Sequence, residues 1–70
     1  MNLAIGQVWE IYSEKTRRWA RATLVEITEH GERFKYHELP EFCDVEKGLL
    51  MTKPAKFRFI AETKKDSESN

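Results

Sequence analysis

The segment from Trp19 to Glu29 alternates its side chains with a period of two, and no other feature constrains the fold as strongly. Trp19, Thr23, Val25 and Ile27 fall on one face; Ala20, Ala22 and Leu24 fall on the other. Only an extended strand sends successive side chains to opposite faces. The β-branched residues Thr23, Val25, Ile27 and Thr28 are stiff at χ1 and suit a pleated surface better than a helix. Arg21 interrupts the first face, so its aliphatic stem is expected to lie along apolar neighbours with its head in water. A lone hairpin is marginal in water, so this run demands further strands from the same short chain.

Such strands are legible on either side. Residues 5–12 combine β-branched and aromatic types, with Trp9 and Ile11 on one face and Val8, Glu10 and Tyr12 on the other. Gly6 marks a turn before them, and residues 13–18 form a polar loop. After Ile27, His30-Gly31 makes a tight turn into residues 32–37, where Phe34 and Tyr36 alternate with charged neighbours; this reads as a hairpin. Residues 38–48, with Pro40, four acids and Gly48, read as a loop holding at most a short helical turn. Leu49-Leu50-Met51 reads as a short strand cut off by Lys53-Pro54, and Lys56 to Ile60 as the last strand. Residues 61–70 are polar and charged, and are expected to form a disordered tail.

Four or five short strands without a long helix predict an all-β fold: a small antiparallel barrel spanning residues 5–60 as a single domain. Closing the sheet pairs its edges and encloses the aromatics. Trp9, Ile11, Val25, Ile27, Phe34 and Phe59 are the expected core fillers. A chain of 70 residues buries only about 60% of its unfolded surface, so most of its rings are needed for the core.

Gly6-x-Val8-Trp9, the run from Trp19 to Ile27, and Phe34-Lys35-Tyr36 together resemble the SH3-like barrels, and among them the Tudor-like domains. Where Tudor-like domains place an aromatic-Gly turn after the third strand, this chain has His37-Glu38-Leu39-Pro40. The resemblance implies a five-stranded barrel whose mouth, here flanked by Tyr12, Trp19 and Tyr36, carries an aromatic cage for a methylated cation. Such a cage works by attraction of the ammonium to ring quadrupoles.

The zero net charge is a sum of unlike blocks. Residues 1–25 carry a net +2, residues 26–46 a net −5, residues 47–65 a net +5 and residues 66–70 a net −2. Local charged faces are therefore open to the fold despite overall neutrality. Cys43 is the only cysteine, which rules out an internal disulfide and fits a reducing, cytoplasmic compartment. No apolar run approaches the roughly 18–20 residues of a membrane span, and no signal peptide is readable, so no membrane association is expected.

Lys15, Arg17, Arg18 and Arg21 lie beside Tyr12 and Trp19. Arg and large aromatics are the types enriched at interaction hot spots. The expected binding residues are therefore Tyr12, Arg17, Arg18, Trp19, Arg21 and Tyr36, engaging a protein or peptide. The same pairing of cations with rings also suits RNA or DNA, where cations track phosphates and rings stack bases; a pI of about 6.7 weighs against it. His37, Glu38, Cys43 and Asp44 fall short of the ligand spacing of a structural zinc site. Cys43 with His37 or His30 lacks an orienting third group. The expectation is a non-enzymatic interaction module, monomeric or weakly self-associating, with no catalytic residue, metal or cofactor.

Overall fold

The computed structural model describes residues 2–62. The long alternating run becomes β2 (Arg18–Thr28), flanked by β1 (Val8–Ser13) and β3 (Gly31–Tyr36). β4 (Phe42–Glu46), a single helical turn α1 (Leu49–Thr52) and β5 (Phe57–Ala61) complete the chain. All strands are antiparallel in one sheet of order β4-β3-β2-β1-β5. No helix among the described residues is long and apolar enough to cross a membrane.

β2 organises the sheet. Its first half pairs with β1, from Ser13↔Arg18 to Val8↔Thr23, and its second half pairs with β3, from Ala22↔Tyr36 to Thr28↔Gly31. Only around Ala22, Thr23 and Leu24 is it flanked on both sides, where the Leu24 N–H also donates to the Gln7 carbonyl at 2.8 Å. The strand thus bends from one partner to the other. The two outer strands β4 and β5 do not pair, so the barrel expected from the sequence is not closed by hydrogen bonds.

The core is built on the faces of Trp9, Ile11, Ala22, Leu24 and Phe34, with Val45 and Leu50 beneath them. Trp9 lies opposite Ala22 across β1–β2, so the smallest side chain faces the largest. Its ring meets Phe34 and Phe59 edge-on, at centroid distances of 6.4 and 5.6 Å. The indole N–H donates to the Gln7 side chain at 3.3 Å, which satisfies a polar group that burial would otherwise leave costly.

Four further expectations are corrected. Val25 and Ile27 are exposed, and the buried residues of β2 are Ala22 and Leu24 on the opposite face. A register shift between Leu24 and Glu26 sets Val25 in a bulge, and Ile27 then pairs with Glu32 at the end of the sheet. Alternation itself puts Val25 on the outer face with Trp19, Arg21 and Thr23, and the extra residue of the bulge changes the register only beyond it. Second, part of the expected acidic loop is the strand β4, anchored by buried Val45. Third, Leu49-Leu50-Met51 is helical, with Leu50 turned into the core. Ala61, placed in the tail by sequence, ends β5; residues 63–70 lie outside the described residues.

Gly31 shows how closely β4 approaches. Its φ of +148° is a conformation that L side chains rarely adopt. A Cβ there would overlap the Val45 carbonyl oxygen and stand 2.8 Å from the Lys47 nitrogen.

Candidate functional site

The six candidate residues divide between the two faces of the sheet. Tyr12, Trp19 and Arg21 share the outer face of β1–β2, where Tyr12 and Trp19 are register partners. Their rings meet at 5.3 Å, edge to face. Arg18 opens β2 and is exposed; Arg17 closes the preceding four-residue loop. Arg17 holds a left-handed backbone, with φ of 58°, a region where glycine or asparagine is commoner. Tyr36 pairs with Ala22 and therefore looks toward the core, where it packs against the buried cluster. Its hydroxyl is pushed up to about 12, first by burial and then by the neighbouring Cys43 thiol.

Two residues overlooked in the sequence complete the outer face. Lys56, just before β5, and Arg58 within it alternate with Phe57 and Phe59 and come to lie beside Tyr12 and Glu10. The Arg58 guanidinium carbon sits 3.6 Å from the centre of the Trp19 ring, and the Lys56 ammonium 5.0 Å from that of Tyr12. Glu10 joins the strands, with Arg58 Nη2 at 3.2 Å and Arg21 Nε at 3.6 Å from its two oxygens. Lys56 also pairs with Glu14, whose carboxyl it holds below the ordinary range through a hydrogen bond and its charge. The sequence signal was the charged half of the Lys56–Ile60 alternation. Its placement depends on a pairing 48 residues distant, Glu10↔Arg58.

An aromatic cage of Tyr12, Trp19 and Tyr36 is not assembled. Tyr36 lies on the core-facing side, and Tyr12 and Trp19 already carry cations of the chain itself. Instead, Glu10 holds Arg58 on one side and Arg21 on the other with guanidinium N–H groups to spare, each roughly half exposed at 51% and 58%. Planar guanidinium groups present donors in a fork that matches carboxylates and phosphates. An open cleft of about 640 Å3 adjoins Arg21 and Trp19, bordered also by Arg18, Tyr36, His37, Glu38 and Leu39.

The other polar groups are engaged elsewhere. His37 Nε2 lies 2.8 Å from the Thr23 hydroxyl. Cys43 pairs with Phe34 on the core side. Asp44 makes a two-point pair with Arg33, at 2.8 and 3.3 Å, which lowers the carboxyl and raises the guanidinium. No group of three or more His, Cys, Asp or Glu among the described residues is arranged to hold a metal ion. A second cleft of about 560 Å3 surrounds Gly31 at the opposite end of β2, walled by Glu26, Glu46 and the Arg33–Asp44 pair. Compared with family models, curated proteins and solved structures, the chain matches none.

Proposed function

We propose that this chain is an SH3-like, Tudor-like module without catalytic activity, which binds an acidic segment of a partner protein through the outer face of β1, β2 and β5. The observation that carries this reading is the Arg21–Glu10–Arg58 group, with Arg58 stacked on Trp19. Ordering two arginines before a partner arrives lowers the entropy lost on binding. Lys15, Arg17 and Arg18 extend the positive field at the same end of β2. Of the acids there, Glu10 and Glu14 are already paired, while Glu38 on the rim of the cleft has no ion-pair partner among the described residues. Five antiparallel strands agree with the strand number that the SH3-like resemblance implies, and support that part of the reading.

Nucleic acid is the weaker candidate because stacking a base on Trp19 or Tyr12 competes with Arg58 and Lys56 for the ring faces. The test is an NMR titration with a short synthetic peptide of alternating Glu and Val. Amide shifts are expected at Trp19, Arg21 and Arg58. Arg58→Ala should weaken binding about tenfold, as loss of a charge-assisted contact does, while lowering stability by less than about 1 kcal/mol. Shifts confined to the Gly31 end would overturn the reading. So would tighter binding of a single-stranded oligonucleotide at the same residues.

A further inference from the structure

The ladder of β2 leaves one backbone position open beside the basic face. Antiparallel strands present alternate residues to each neighbour. Leu24 donates toward β1, to the Gln7 carbonyl, whereas Arg21 faces β3, its carbonyl accepting from the His37 N–H at 3.0 Å. By that alternation, Trp19 turns its N–H and C=O toward the β3 side. The residue that would meet it, if β3 ran on, is Leu39. The chain has already turned away: β3 ends at Tyr36, Pro40 follows, and the Tyr36 N–H donates to the Glu41 carbonyl at 3.2 Å. No partner for either Trp19 backbone group occurs among the described residues. The open cleft lies along this stretch of β2.

We infer that the acidic partner segment binds as an added strand, continuing the line of β3 through the cleft and pairing with Trp19. The occupant is set by charge and geometry together. A residue hydrogen-bonded opposite Trp19 projects its side chain onto the outer face, the face of Arg21 and Arg58. That residue is therefore acidic, while its neighbours along the strand turn toward Ala20 and the exposed Leu39. Alternating acidic and apolar residues satisfy both faces. Main-chain bonds supply affinity and the alternate side chains supply selection, as in other strand additions.

This inference rests on the proposed binding of an acidic segment, and one experiment separates the two. The alternating Glu/Val peptide is compared with two versions, one N-methylated at every Glu and the other at every Val. Strand addition predicts that methylation at Glu weakens binding about tenfold, the effect of one or two lost hydrogen bonds with a steric clash. Methylation at Val should change affinity less than about twofold, because those N–H groups face away from β2. The Trp19 amide should exchange more slowly with solvent when the parent peptide is bound. Equal affinity of all three peptides would overturn strand addition and leave acidic binding standing. Failure of all three to bind overturns both.

Discussion

Glu32 is the residue at which burial and charge conflict most directly. It is only 6% exposed, and its Oε1 finds no hydrogen-bond partner among the described residues. Burial raises its carboxyl above the ordinary value, and Lys47 only partly opposes this. A carboxyl raised on folding favours the folded state fully at low pH and loses that contribution as pH rises through its folded value. Glu32→Gln should therefore be more stable than the parent near neutral pH, by about 1 kcal/mol. The difference should vanish below about pH 4, where both side chains are neutral. Urea unfolding of both proteins across that range is the measurement; a constant difference would show that ionisation is not the cause. The raised pKa requires the buried site. What the sequence offered was a Glu three residues after Glu29 in a charged turn, with no sign that Val45 and Ile27 would flank it across the ladder.

At the scale of elements, strands with one buried face were legible and the rest were not. β1, β2, β3 and β5 each show alternation strong enough to place them, and Trp9, Ile11 and Phe34 fill the core as their pattern indicates. β4 escaped because its sequence is Phe-Cys-Asp-Val-Glu, and of these only Val45 is buried. An edge strand has one neighbour, so polar and charged residues cost it little. α1 escaped because four residues are too few for a helical period to appear. Half of the candidate face was legible, since Tyr12, Trp19 and Arg21 are neighbours through a hairpin. Arg58 joins them only through a distant pairing, and Tyr36 departs because the register sets it opposite Ala22. Gly31 is where two elements depend on one residue. Gly31→Ala should cost at least about 2 kcal/mol, from backbone strain and overlap with β4. Thermal unfolding measures this, and loss of β4 amide protection before that of β1 and β2 would locate it.

Across the whole molecule, the neutral chain resolves into a basic end and an acidic end of β2. Lys15, Arg17, Arg18 and Lys56 gather by the first hairpin loop, whereas Glu26, Glu29, Glu32 and Glu46 gather around the second. The alternation along the sequence survives as separation in space. The chain visits the sheet by three successive hairpins, and only the return of β5 to β1 spans most of its length. Closing that long loop has the largest entropic cost among the pairings. β5 should therefore dock after the folding barrier is crossed, and with it Arg58. The proposed binding face is then absent from the transition state. A saturating acidic peptide should slow unfolding while leaving the refolding rate almost unchanged, as stopped-flow denaturant jumps can measure. A partner of this chain would act on how long the fold lasts, and hardly at all on how fast it forms.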